Sequence, residues 1–305
     1  MVLKTPFKKS KPSVQPRDDL KSVHNCIPPR AYPFQLKLSY IVNAYFDQEN
    51  HIALTSLLET YSSYDPSILD QIEFIVIDDG SPVPFELPDL NLNVSLVRAD
   101  INKPWNSAGC KNLGGVLAST DKLLICDLDH VFPEVTLRKL IQMRNPKNRL
   151  YKFYTRSPDG STARPHPNFF FLSRTNFLKH YGYDEEFAGY YGFEDTMFYR
   201  MHRTLGNPIF KLPKKYYKME RSLDRTKGYH NLRRDLRRNR PIHERKRKEW
   251  KDYGPNGAQS RKMLRFAWTL MEDRERVPSK LPKKRPLWLK LWPLRYAFSL
   301  FIRRV

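Results

Sequence analysis

KLLICDLDHVF, residues 122–132, decides how the rest of the chain is read. The apolar run Leu123–Cys126 stops at Asp127-Leu128-Asp129, the pattern of a strand buried on both faces that ends where polar chemistry begins. Side chains alternate along a strand, so Asp127 and Asp129 share a face. Paired hard oxygen ligands suit Mg2+ or Mn2+, and a divalent ion there would neutralise a diphosphate. An isolated D-x-D arises often by chance, so its surroundings set its weight.

Working back from this strand, AGCKNLGGVLAS (108–119) has helical periodicity with small residues that permit close packing. NVSLVRAD (93–100) reads as a short strand, and IEFIVIDDGS (72–81) as a longer one stopped by the turn-forming Asp79-Gly80 pair. HIALTSLLETY (51–61) is a helix pattern, preceded by the buried strand LKLSYIVNAY (36–45). Strands alternating with helices indicate βαβ units and a mostly parallel, Rossmann-like sheet covered on both faces. In such sheets ligands bind at the carboxyl ends of the strands, where Asp78, Asp79, Asp127 and Asp129 gather. Working forward, RLYKFYT (149–155) and NFFFLS (168–173) read as further strands, and SRTNFLKHYG (173–182) as a helix. EDTMFYRMHRTLG (194–206) is a helix pattern with two carboxylates in its first turn, where the helix dipole favours anions.

The 305 residues carry 54 Lys/Arg against 32 Asp/Glu, a net charge of +22. A 40% hydrophobic and 13% aromatic composition argues against a disordered chain despite that charge. The charge is unevenly placed. Residues 1–35 carry +5, residues 36–200 carry −5 and residues 201–305 carry +22. A protein built throughout for nucleic acid would not have a mildly acidic body. Three cysteines, Cys26, Cys110 and Cys126, make no disulfide framework and no zinc knuckle, which suits a reducing, cytoplasmic setting. The N-terminus lacks the apolar stretch of a signal peptide, and no run of about 18 apolar residues is present to span a bilayer.

In order, YIVNAYF, FIVIDDGS, NSAGCKNLGG, LLICDLDH and GYDEEFAGYYGFEDTMF resemble the motifs of family 2 glycosyltransferases with the GT-A fold. The last is also similar to the Gly-rich, Glu-Asp-containing motif of the β-1,4-galactosyltransferases. The resemblance runs from about Leu36 to Leu212. It implies a metal-dependent transfer of sugar from a nucleotide sugar, with UDP favoured, to an acceptor hydroxyl with inversion. The setting would be glycan, glycoconjugate or polysaccharide synthesis, with a glycan, lipid-linked or protein acceptor.

Position by position, the resemblance implies that Ala44, Tyr45 and Asp78 or Asp79 hold the nucleoside. Carboxylates accepting from a uracil N–H or ribose hydroxyls make chemical sense, although a turn that caps the strand would use the same aspartates. Lys111, where the family has Arg, and Asn112 would lie by the phosphates, with Asp127 also on the donor. Asp127 and Asp129 would hold Mn2+ or Mg2+. His130 departs from the family's frequent acidic residue and is either a further ligand or a packed neighbour. His230, thirty-five residues after Asp195, would be the third metal ligand. Asp195 would be the base and Glu194 its acceptor-binding partner. Tyr190, Tyr191 and Gly192 would contact the acceptor. His166 and His202 read as structural.

Around this core, residues 1–35 read as a basic, Pro-rich arm and 36–215 as the GT-A domain. Residues 216–284 read as a basic, mainly helical extension completing or covering the active site, in which Arg221, Arg225, Lys227, Arg233 and Arg234 surround His230. The final stretch RPLWLKLWPLRYAFSLFIRRV (285–305) has the Trp, Tyr, Lys and Arg mixture of a helix lying in a membrane interface, which predicts peripheral attachment to an anionic bilayer. Packing of that segment on the body is the alternative. Two other functional classes stay open: nucleic-acid binding through the tail, which no recognised module accompanies, and a catalytically inactive relative of the transferases.

Overall fold

The computed structural model describes residues 36–278 except 49, 84, 167 and 225–229. The basic arm, Arg225, Lys227 and the segment 285–305 therefore lie outside the described residues.

The chain runs β1 (Leu38–Ala44), α1 (Ile52–Ser62), α2 (Pro66–Leu69), β2 (Ile72–Asp78), β3 (Val94–Ala99), α3 (Ser107–Leu117) and β4 (Lys122–Cys126). These strands form a parallel sheet in the order β3-β2-β1-β4. Leu38 lies opposite Ile72 and Ala44 opposite Asp78, while Val42 lies opposite Cys126. The ends of β1, β2 and β4 consequently fall along one edge, which brings Tyr45, Asp79 and Asp127 to the same border of the sheet. All seven residues of β2 are buried, as expected of a central parallel strand covered on both faces.

Alternation along β1 divides the core. Tyr40, Val42 and Phe46 join α1 residues Leu54, Leu57, Leu58 and Tyr61 on one face. Ile41 joins Cys110 and Leu113 of α3 on the other. Helix α3 reaches the sheet closely because it is rich in small residues. A Cβ on Gly114 would sit 2.3 Å from Ile41 Cγ2, and one on Gly115 would sit 2.5 Å from Phe177 Cε1.

Beyond β4 the chain forms β5 (His130–Val131), α4 (Glu134–Gln142), β6 (Leu150–Lys152), β7 (Tyr154–Arg156), β8 (Thr162–Ala163), β9 (Phe170–Ser173), α5 (Arg174–Lys179), α6 (Glu194–Thr204) and β10 (Ile209–Lys211). Then follow β11 (Tyr217–Glu220), α7 (Asn239–Tyr253), α8 (Pro255–Ala258) and β12 (Trp268–Arg274). Strand β9 pairs antiparallel with β4 and β6, and β10 runs parallel to β6. Strand β12 pairs antiparallel with β3, which completes an eight-stranded, mostly parallel sheet flanked by helices. A four-stranded sheet of order β5-β11-β7-β8 lies beside it.

Two features differ from the sequence reading. RLYKFYT is two short strands in different sheets, split at the buried Phe153. The basic extension contributes β11 and β12 as well as helices, so it is built into both sheets. Among the described residues no helix is long and apolar enough to cross a membrane.

Candidate active site

The two aspartates ending β2 have different duties. Asp78 accepts from the Ser81 amide at 2.9 Å and from Arg98 of β3 at 2.6 Å. Arg98 also donates to the Ser81 carbonyl, so this carboxylate closes the turn after β2. Burial raises its pKa, against the opposing pull of Ser81 and Arg98. Asp79 anchors its amide on the Ala44 carbonyl at 2.8 Å and accepts from Cys110 Sγ at 3.1 Å. Burial pushes its pKa up to about 8 despite the Cys110 contact. Tyr45, half-buried at the end of β1, feels the charge of both aspartates, and its hydroxyl lies 3.4 Å from Asn102 Oδ1.

Helix α3 places Lys111 between Asp127 of the D-x-D segment and Asp195 of the Glu-Asp pair. Its side chain is only 2% exposed, with Nζ 3.1 Å from Asp195 Oδ1 and 3.5 Å from Asp127 Oδ1. Burial alone would lower its pKa, but Asp127 and Asp195 overcome that and raise it, which keeps the ammonium charged. The middle of α3, the end of β4 and the start of α6 are joined through this one cation. Asn112, expected beside the phosphates, is used otherwise. Its amide donates to Tyr183 O at 2.9 Å and Glu185 Oε1 at 2.8 Å, and its Oδ1 accepts from the Tyr183 amide at 2.7 Å. It braces the segment leading to the loop 188–193.

Asp127 also accepts from Asn168 at 2.9 Å. Asp129 meets His130 Nδ1 at 2.6 Å, and His130 packs edge-on against Phe169 at 4.6 Å. The histidine is packed between Asp129 and Phe169. Both carboxylates keep partial water contact, at 25% and 20% exposure.

Glu194 and Asp195 open α6. Burial followed by repulsion from Asp195 pushes Glu194 up to about 7, and its Oε2 is buried without a hydrogen-bond partner among the described residues. Burial also raises Asp195, with Lys111 opposing. The preceding loop is tightly specified. Gly192 has φ 92°, and a Cβ there would strike Leu236 Cδ2 at 2.4 Å. Phe193 occupies the left-handed region at φ 75°, uncommon for an aromatic residue, and stacks on His243 at 4.4 Å. Tyr190 is exposed, and Tyr191 packs against Trp105 at 4.8 Å.

His230 packs edge-on against Trp105 at 4.9 Å. Among the described residues no three His, Cys, Asp or Glu side chains are gathered to hold a metal ion, so Asp127, Asp129 and His230 do not form the expected triad. A two-carboxylate site still fits a divalent ion that arrives with a diphosphate, because Mg2+-type ions take one or two protein carboxylates plus phosphate oxygens. The local charge agrees. The carboxylates Asp127, Asp129, Glu194 and Asp195 are faced by the ammonium groups of Lys111 and Lys218.

Lys218 on β11 was not anticipated. It is 1% exposed, its Nζ lies 3.7 Å from the centre of the Phe169 ring, and burial lowers its pKa to about 8 against the pull of Asp129 and Asp127. A lysine amid the aromatics of KKYYKME was the available signal. Trp105, to which Tyr191 and His230 are both joined, was also missed. His202 is structural as expected, fully buried, held by Asn207 at 2.9 Å and pushed by burial to a pKa of about 3.

No protein-family model matches the chain, and no curated protein matches it significantly. Among solved structures the fold is similar to S. aureus TarS 1–349, with a TM-score of 0.47 and 17% identity over 61% of this chain and 61% of that one. The mannosyltransferase PcManGT from Pyrobaculum calidifontis, in complex with GDP-Man and Mn2+, gives 0.45 and 15% over 77% and 69%. A variant of Drosophila β1,4-galactosyltransferase 7, in complex with manganese, UDP-Gal and xylobiose, gives 0.42 and 11% over 67% and 79%. The chain thus spans about three fifths of the TarS chain it matches.

Proposed function

We propose that this chain is a GT-A-type glycosyltransferase that moves a sugar from a nucleotide donor, UDP-linked in the leading reading, to an acceptor hydroxyl with inversion. The observation that carries the proposal is the Lys111 bridge, which joins Asp127 of the D-x-D segment to Asp195 of the Glu-Asp pair at the carboxyl edge of a parallel sheet.

In this reading Asp127 and Asp129 hold a divalent cation, which when bound supplies Lewis-acid stabilisation of the leaving diphosphate. Lys111 and Lys218 add buried positive charge beside the same phosphates, where low dielectric strengthens it. Tyr45 and Asp79 border the nucleoside. Asp195 accepts the proton of the acceptor hydroxyl as the new bond forms, and a single base on one side of the sugar is what inversion requires. By opposing the burial that raises Asp195's pKa, Lys111 favours the ionised form the base needs. Glu194, its pKa pushed by burial to about 7, retains a proton near neutrality and can donate to another acceptor oxygen.

Nucleotide sugars screened with Mn2+ for thermal stabilisation and slow hydrolysis will identify the donor. Asp195→Asn should then lower transfer by a factor of about 10²–10⁴, the usual contribution of a positioned base, while donor binding stays near the wild-type value. Normal turnover by that variant would remove Asp195 from the mechanism.

A further inference from the structure

The rim of the acceptor loop carries positive charge that the proposed transfer reaction does not use. Arg234 lies 5.8 Å from the centre of the Tyr191 ring, and Arg238 lies 5.8 Å from that of Tyr190. Both arginines are exposed, and among the described residues neither has an ion-pair partner. The nearest acid in sequence, Asp235, is taken by Arg237 at 2.7 Å. Lys103 borders the same loop, since a Cβ on Gly189 would sit 3.2 Å from its Cε.

This rim is held in place. The buried Asn239 amide nitrogen lies 3.0, 2.8 and 2.9 Å from the carbonyl oxygens of Phe187, Tyr190 and Gly192. Arg238 is its immediate neighbour, so the start of α7 and the tyrosine loop form one unit directly before Glu194 and Asp195. Tyrosine faces suit the apolar faces of sugar rings. Guanidinium groups lying over those tyrosines present planar forks for carboxylate or phosphate. An anionic glycan would pair with these exposed charges, whereas a neutral one would leave them to solvent.

We infer that the acceptor is an anionic glycan whose carboxylate or phosphate groups are read by Arg234 and Arg238 across Tyr190 and Tyr191. The inference rests on the glycosyltransferase reading and adds the acceptor's chemical class to it. The attachment of both cations to the loop that directly precedes the proposed base in the chain favours an acceptor over a membrane surface or a nucleic acid.

The test is calorimetric binding to the full chain. The first pair of probes is oligogalacturonate and its fully methyl-esterified, uncharged counterpart. The second is phosphorylated malto-oligosaccharide and its unphosphorylated counterpart, and these two pairs separate carboxylate from phosphate recognition. At least one acidic probe should bind about tenfold or more tightly than its neutral partner, as charge-assisted hydrogen bonds allow. The preference should vanish in an R234Q/R238Q variant and survive in K248Q/K251Q, which removes exposed charge elsewhere on α7. Equal binding of matched probes, no binding of either acidic probe, or equal losses in the two variants would overturn the inference. So would tighter binding of a single-stranded oligonucleotide or of phosphatidylglycerol vesicles than of either acidic glycan. Nucleotide-sugar binding by the same preparation is measured alongside. If it is absent the transferase reading fails, whereas donor binding without acid preference removes only the inference about the acceptor.

Discussion

Lys111 shows how far a single residue can be read. Its neighbourhood in GCKNLGG pointed to the phosphates, but nothing local told that its ammonium would reach both Asp127 and Asp195, because those partners come from strands and helices far along the chain. Replacement by Met leaves two carboxylates facing each other without their cation. Unfolding free energy should fall by roughly 2–4 kcal/mol, toward the lower end of the range for broken buried pairs because both carboxylates keep some water contact. Lys111→Arg should recover most of the loss, and urea denaturation of the three proteins would check both statements. Asp79 gives a pH-dependent expectation. Unfolded, it ionises near the ordinary carboxylate value, at about pH 4. Folded, burial holds its proton up to about pH 8. The folded state therefore binds more protons across that window, so this residue's contribution lowers stability as pH rises from about 4 to about 8 and is constant beyond it. Asp79→Asn should gain stability relative to wild type between pH 5 and pH 8 in denaturation experiments, and a constant difference would contradict the assignment. Glu194, raised to about 7, acts in the same direction over a narrower window.

The elements divide into those whose partners lie on both faces and those defined by distant contacts. Strands β1, β2 and β4 were legible because each is a continuous apolar run with buried neighbours on both sides, and the polar residues following them mark the sheet edge. Strand β12 was not, because WTLMEDR is a partly exposed edge strand with charged residues, and it pairs with β3 more than 160 residues earlier. Edge strands carry little hydrophobic signature of their own. Helix α6 was legible to within two residues, yet the left-handed Phe193 that sets its entry angle has no sequence signature. The tyrosine loop depends on an element that the sequence assigned only to a basic helical extension. Asn239→Ala removes the amide contacts to Phe187, Tyr190 and Gly192. Amide hydrogen exchange in residues 188–193 should then speed up by about tenfold, corresponding to about 1.4 kcal/mol of lost local stability. Unchanged exchange would show that the loop is held by its glycines and aromatic packing alone.

At the scale of the molecule, the net charge of +22 first points away from the chemistry at the sheet edge. Its distribution reverses that impression. The body around the site carries −5, concentrated in carboxylates at strand and helix ends, and part of the basic flank returns to line the tyrosine loop. The D-x-D and Glu-Asp candidates were legible as motifs, and the fold brings Asp127 and Asp195 to one cation. His230 packs on Trp105 and is not gathered with two further possible ligands among the described residues, because spacing along a chain does not determine which side chains the fold brings together. The site's central claim is a division of labour in which Asp127 serves the donor and Asp195 serves the acceptor. The most direct measurement is nucleotide-sugar binding and transfer by Asp127→Asn and Asp195→Asn beside the wild-type protein, with Mn2+ present. Asp127→Asn should lose donor binding by about tenfold or more, as expected when a charged, hydrogen-bonding group is removed, and Asp195→Asn should bind donor normally but not transfer. Retained transfer in Asp195→Asn, or undiminished donor binding in Asp127→Asn, would contradict that division of labour.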